Sequence, residues 1–319
     1  MTAPVPAIWQ VSAGPASRSY ADVLLRHGVA LIGTGDAGPW AADRGDEMFD
    51  GPFVRRFATE LGVGDIVLLR TGLARIAAVG IVAGKYEYQN AFDDVNGWDL
   101  QHTRRVRWGK LSAEHTFPTA VFGANPPRCA RAWSPEVADF ATRFLNSPPA
   151  SWQTASLPQL PVEDPPLSVV PQVVSSLVAQ VADLVPLMQD ASAFGDLPSE
   201  DELIVHYVVP LLRSLGWPPE RIAVKWRHVD VALFRALPRT PENCHLVIEA
   251  KRLGAGVEGA LEQAQGYVTA LGLACDVVVT DGIRYRMYSC DRAVAPLAYA
   301  NLARLKAPAA DMFSRLQRI

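Results

Sequence analysis

Between Asn146 and Ser168 the chain carries Pro148, Pro149, Pro158, Pro161, Pro165 and Pro166, with little apolar periodicity. Proline fixes φ and lacks a backbone donor, so neither a helix nor a sheet runs through such a stretch, which acts as a semi-rigid spacer. Two bodies are therefore expected, and 319 residues suffice to give each its own core. The expected organisation is a domain over 1–146, a linker over 147–168 and a second domain over 169–319. The chain shows no internal repeat.

Composition removes several classes. Apolar residues make up 49% and charged residues 20%, an ordinary globular mixture. The 30 basic and 33 acidic side chains leave a formal charge of −3, so nucleic-acid binding would need a local basic patch. Cys129, Cys244, Cys275 and Cys290 are scattered, which argues against a disulfide framework or a structural zinc and fits a reducing cytoplasm. The first basic residue is Arg18, so no charged signal-peptide region is expected. The most apolar window, Leu167 to Met188, is broken by Ser, Gln, Asp and Pro, and no membrane span is expected.

Before the linker, strand-like runs cover Ala7–Val11, Val29–Ile32, Asp65–Arg70, Ile76–Tyr88 and Thr103–Trp108, with helices at Tyr20–His27 and Ser134–Leu145. That pattern predicts a small, mostly β barrel or curled sheet. After it, helices are expected at Val169–Met188, Glu200–Leu215 and Gly256–Leu271. Strands are expected at Ile222–Arg227, Val229–Phe234, His245–Lys251, Asp276–Thr280 and Arg284–Ser289. This order predicts an α/β domain with a mixed central sheet.

Charges within apolar strands single out one place. Asp230 interrupts Val229–Phe234, and Glu249 and Lys251 end the run Leu246-Val247-Ile248-Glu249-Ala250-Lys251. Alternation puts Glu249 and Lys251 on one face. Unpaired buried charge costs several kcal/mol, so such groups pair or bind a metal. Two carboxylates with the Ala250 carbonyl between Glu249 and Lys251 make an oxygen-rich site suited to Mg²⁺. The plainer reading is a strand-end salt bridge between Lys251 and an acid. Gln263 and Tyr267 share a helical face just beyond this strand. Ser199 and Glu202 have capping-box spacing, which leaves Glu200 as the acid freer to face the site.

In this order, Glu200, Pro210-Leu211-Leu212-Arg213-Ser214-Leu215-Gly216-Trp217, Asp230, Ile248-Glu249-Ala250-Lys251, Gln263-x-x-x-Tyr267 and Val279-Thr280-Asp281-Gly282 resemble the PD-(D/E)xK nuclease superfamily. The likeness is to the nuclease domain of type I restriction motor subunits, and it spans roughly Ser199 to Ser289. It implies a restriction-endonuclease-like fold, with Asp230 and Glu249 as metal ligands and Lys251 as the catalytic lysine. Gln263 and Tyr267 would be phosphate-side or positioning groups. Val229 stands where the superfamily's name has proline.

Five of the eight tryptophans precede the linker. Ile8-Trp9-Gln10-Val11, Gly64-Asp65-Ile66-Val67-Leu68-Leu69-Arg70, Ala78-Val79-Gly80-Ile81-Val82, Tyr86-Glu87-Tyr88 and His102-x-Arg104-x-Val106-x-Trp108 resemble EVE-like members of the PUA superfamily. The resemblance implies a reader of modified bases or RNA, with a flipped base held between aromatic walls. Trp40 is the first candidate wall, followed by Trp9, Tyr86, Tyr88 and Trp98; Trp9 and Trp108 lie within strand patterns that favour the core. From Arg104 to Arg131 six basic residues face one acid, Glu114, which predicts a phosphate-binding patch with Arg104, Arg105, Arg107 and Lys110 as backbone contacts. Gly33-Thr34-Gly35-Asp36-Ala37-Gly38 matches a dinucleotide fingerprint, but Pro39 and Trp40 follow and no apolar helix opens there.

The sequence thus predicts a modification-dependent, type IV-like DNA restriction endonuclease, a device of phage defence. It would read a modified base, such as a modified cytosine, in double-stranded DNA and hydrolyse phosphodiesters with Mg²⁺. A double-strand break would need a homodimer or two cuts. The alternatives are a non-cleaving binding module on a nuclease scaffold and an RNA-directed nuclease.

Overall fold

A computed structural model describes residues 5–14, 19–33, 38–49, 51–93, 95, 98–124, 126–146, 174–188, 198–253, 257, 260–290, 296–305 and 308–318. The chain separates between Leu160 and Pro161 into two compact units. The expected linker over 147–168 and the start of the helix expected from Val169 lie outside the described residues.

In the first unit, β1 (Ile8–Ser12), β2 (Val29–Ile32), β3 (Ile66–Arg70), β4 (Arg75–Tyr88), β5 (His102–Thr116) and β6 (Cys129–Arg131) form one sheet in the order β2-β5-β4-β3-β1-β6. Only the β1–β3 pair is parallel. The β4–β5 pair is its long axis, with register shifts at Ile76/Ala78 and Val82/Tyr86 that bend both strands. A Cβ on Gly80 would lie 2.6 Å from the Trp108 ring, so glycine there lets the buried indole lie flat on β4. Helices α1 (Ala21–His27), α2 (Phe53–Arg55, continued by a wide turn over Arg56–Glu60) and α3 (Pro135–Asn146) complete the unit. The sequence did not predict α2 or β6, and β5 runs eight residues past the expected Trp108.

In the second unit, six strands order as β12-β11-β10-β9-β8-β7: β7 (Ile222–Trp226), β8 (Val229–Phe234), β9 (Cys244–Ala250), β10 (Asp276–Thr280), β11 (Arg284–Tyr288) and β12 (Ala298–Asn301). The sheet is mixed. β9 and β10 are parallel, joined through α7 (Ala260–Ala270), and the other pairs are antiparallel. Alternation along β8 and β9 sends Val231, Leu233, Leu246 and Ile248 to one face, where they pack with α4 (Ser175–Met188), α5 (Glu200–Leu203), α6 (Val209–Ser214) and α8 (Ala309–Leu316). Ala232, Phe234, Val247 and Val279 face the other way, against Ala260, Ala264 and Val268 of α7.

The helix expected over Glu200–Leu215 is interrupted. Residues Ile204–Val208 widen into a π turn, in which the Val209 N–H reaches back to the Ile204 carbonyl. Pro210 explains it, since a proline ring cannot lie against the carbonyl four residues back in a regular α-helix. Strand β12 and helix α8 were not predicted. The Trp217 indole N–H anchors α8 by donating to the Leu316 carbonyl at 2.7 Å. Among the described residues no helix is long and apolar enough to cross a membrane.

Candidate active site and aromatic cluster

The β8–β9 register builds the first site. Val231 lies opposite Ile248, Ala232 opposite Val247 and Leu233 opposite Leu246. One step further, the same register sets Asp230 across from Glu249, on one face of the sheet. Asp230 Oδ2 accepts the Ala250 N–H at 2.8 Å, and Lys251 Nζ lies 3.0 Å from Glu249 Oε1. The strand-end salt bridge is therefore present, yet it does not satisfy the site. Glu249 is 2% exposed, and its second oxygen, Oε2, is buried without a hydrogen-bond partner among the described residues. Burial, with the Asp230 and Glu200 carboxylates nearby, raises its pKa to about 7 against the pull of Lys251.

Glu200 thus belongs to the field of this site, while Glu202 closes the predicted capping box. Ser199 N donates to Glu202 Oε2 at 2.7 Å, and Glu202 N to Ser199 Oγ at 3.2 Å. Gln263 and Tyr267 lie on α7, the helix covering the acid face, and the amide donates to the phenol at 3.0 Å. Neither bonds Asp230, Glu249 or Lys251 among the described residues. Asp281 is a turn anchor: it accepts the N–H groups of Ile283 and Arg284 and pairs with the buried Arg284 guanidinium.

One partner was missed. Lys225 Nζ lies 2.7 Å from Asp230 Oδ1 and 2.9 Å from Asp201 Oδ1, and its pKa is raised chiefly by the hydrogen bond to Asp230. It sits on β7 in the left-handed region, at φ 53°, which no strand pattern announces.

No group of three or more His, Cys, Asp or Glu side chains converges as a metal cage among the described residues. Mg²⁺, however, is commonly held by one or two carboxylates, water and substrate phosphate rather than by a full protein cage. The unpartnered Oε2 of Glu249 fits such an ion.

In the first unit, the predicted Tyr86 and Tyr88 pack on His102, which the sequence places in a motif but does not single out as a site residue, and Trp40 joins them through its backbone. The Trp40 backbone N–H donates to the Tyr86 hydroxyl at 2.9 Å, and that hydroxyl lies 2.8 Å from His102 Nδ1. Tyr86 stacks on the imidazole with centroids 5.9 Å apart; Tyr88 and Phe49 meet it edge-on. Burial and Arg44 lower the His102 pKa to about 3, so the ring is neutral. The direction of the Tyr86–His102 hydrogen bond follows the tautomer of the neutral ring. The indole Nε1 of Trp40 and both amide atoms of Gln101, a wholly buried side chain beside His102 in sequence, have no hydrogen-bond partner among the described residues. Such groups are rare in folded proteins and mark places where a partner is owed.

Two expectations fail here. Trp9 does not join the aromatic cluster around His102 and is core: it is fully buried, its indole N–H donates to Asp65 at 2.9 Å, and the Arg131 guanidinium covers its ring. Arg104 is not a backbone contact either. Its buried guanidinium donates to the Phe57, Ala58 and Gly84 carbonyls, because it shares the inward face of β5 with Val106 and Trp108. Arg105 is half-buried and paired with Glu87 at 3.2 Å, whereas Arg107 and Lys110 are exposed. Trp98 packs edge-on against Tyr20. Trp9 does line, with Arg55, Arg56, Glu60, Arg131 and the 82% exposed Trp133, a cleft of about 430 Å³.

Comparison with known proteins adds little. Residues 9–120 match the profile of a domain of unknown function (DUF8426). No curated protein matches the chain. Among solved structures, it is similar to a fragment of a putative HsdR subunit of a type I restriction enzyme from Vibrio vulnificus YJ016, at 22% identity and a TM-score of 0.25. That likeness covers 38% of this chain and 25% of that one. At this TM-score it bears no weight for fold or chemistry, and the functional reading rests on the residues themselves.

Proposed function

We propose that this chain is a Mg²⁺-dependent endonuclease of the PD-(D/E)xK type that acts on DNA carrying a modified base, with an EVE/PUA-like first unit as the reader. The observation that carries the reading is the Glu249 carboxylate, buried opposite Asp230 with one oxygen held by Lys251 and the other without a partner. A purely structural ion pair would satisfy both oxygens.

In this reading Asp230 and Glu249 hold the ion. When bound, it supplies electrostatic activation of water and neutralises charge developing on the phosphate. Lys251, fixed by Glu249, presents its ammonium beside the reacting phosphate and stabilises the same charge. Gln263 and Tyr267 position the phosphate side from α7. In the first unit, Trp40, Tyr86 and Tyr88 would flank a flipped base. Arg107 and Lys110 would meet the DNA backbone.

The test is digestion of matched plasmids carrying cytosine, 5-methylcytosine, 5-hydroxymethylcytosine or glucosylated bases, with and without Mg²⁺. Mg²⁺-dependent cutting of one modified plasmid is expected, abolished in Glu249→Ala and Lys251→Ala proteins that still fold. Cutting by purified Glu249→Ala at the wild-type rate would end this reading. One observation favours the non-cleaving alternative, namely that Lys225 already neutralises Asp230. The same plasmids decide it, since a binding module would retain modified DNA without nicking it.

A further inference from the structure

The acids of the second unit hold more charge than one strand-end salt bridge explains. Glu200, Asp201, Asp230 and Glu249 bring four carboxyl groups to this end of the sheet, against the ammonium groups of Lys225 and Lys251. Lys225 is placed as an ion would be: its nitrogen bridges Asp201, in the first turn of α5, and Asp230, on β8, at 2.9 and 2.7 Å. By the β7–β8 register, with Val224 opposite Val231 and Trp226 opposite Val229, it stands directly across from Asp230. Its left-handed backbone, unfavourable for a residue with a Cβ, recurs at Arg227 and His228 in the same hairpin.

We infer that Lys225 is a built-in cation occupying a second ion position, between Asp201 and Asp230, so that the site takes one divalent ion where a two-ion centre would take two. This rests on the reading of Asp230 and Glu249 as metal ligands. Two-ion centres place their cations on either side of a shared carboxylate. Here Asp230 is that carboxylate: Oδ1 faces Lys225, Oδ2 accepts the Ala250 N–H and keeps a second lone pair, and the strand opposite carries Glu249, whose Oε2 has no hydrogen-bond partner among the described residues. Removing the ammonium leaves Asp201 and Asp230 without the cation they share, a vacancy that a second oxygen-seeking divalent cation fills. Arginine keeps the charge and should keep the position closed.

The experiment counts Mn²⁺ bound to the full-length protein by equilibrium dialysis and electron paramagnetic resonance, with thermal melts confirming that each variant folds. The expected stoichiometries are one ion for wild type, two for Lys225→Ala and one for Lys225→Arg. Two coupled ions in Lys225→Ala would also give a dipolar-broadened spectrum that wild type lacks. A single ion in Lys225→Ala at unchanged affinity, or two ions in wild type, overturns the inference. The two readings fail differently. No ion on wild type but one on Lys225→Ala would keep the Lys225 position and remove the Glu249 one, whereas no ion on any of the three proteins would remove both.

Discussion

The buried arginines of the first unit and the lysines beside the acids of the second are partnered differently. In the first, Arg104 and Arg70 give their guanidinium groups to neutral acceptors: the Phe57, Ala58 and Gly84 carbonyls for Arg104, and Gln10, Gly72 and Pro127 for Arg70. In the second, the half-exposed Lys225 and the more deeply set Lys251 lie against carboxylates, as the buried Arg284 does against Asp281, and a carboxylate oxygen of Glu249 remains over. A guanidinium carries five donors in a rigid fork, which suits it to tying down irregular backbone. An ammonium is a compact charge and suits a site where charge must be balanced and exchanged. A buried basic residue is thus a poor sign of nucleic-acid contact unless its acceptors are known.

Arg104→Ala breaks the comparison most sharply. It should destabilise the first unit by about 3 kcal/mol through three deserted carbonyls, read as a shifted denaturation midpoint with the second unit unchanged. Normal stability with lost DNA binding would make Arg104 a contact after all. His102 comes next. Its pKa is lowered in the fold, so the unfolded chain takes up a proton first; the stability present above about pH 6.5 should fall as pH drops toward 3. Between pH 7.5 and 5 the loss should be about 2 kcal/mol, and His102→Gln should flatten it. A wild-type midpoint that does not move over this range would mean that the imidazole is not held neutral.

Trp40→Ala should weaken binding of modified DNA about tenfold, while Mn²⁺ binding by the second unit stays intact. Unchanged affinity would move the base pocket elsewhere. The smallest effect is expected of Arg107→Ala, a loss of a few-fold in affinity, equal for modified and plain DNA, with a salt dependence shallower by about one ion. A loss confined to modified DNA would instead place Arg107 at the base.

How far the sequence revealed this molecule depends on whether neighbours along the chain carried the information. Asp230, Glu249 and Lys251 were legible because charge inside an apolar alternating run can be read from the strand period alone. The same period would have placed Arg104 correctly, since Trp108, Val106, Arg104 and His102 share one face, but a local count of basic residues was read instead. Trp9 was ambiguous for the same reason. Lys225 was not legible, because it reaches Asp230 from a left-handed hairpin position and Asp201 from a different element. Gln101 shows itself only by the partners it lacks, which no pattern of residue types records.

The central claim is that Asp230 and Glu249 share one cation instead of merely neutralising lysines. Anomalous diffraction from crystals soaked in Mn²⁺ tests it directly. The account predicts one strong peak, at about 2.1 Å from an oxygen of each carboxylate, with Glu249 using the Oε2 that now has no partner. A map with no peak between the two strands, and Lys251 closed over both Glu249 oxygens, would contradict it.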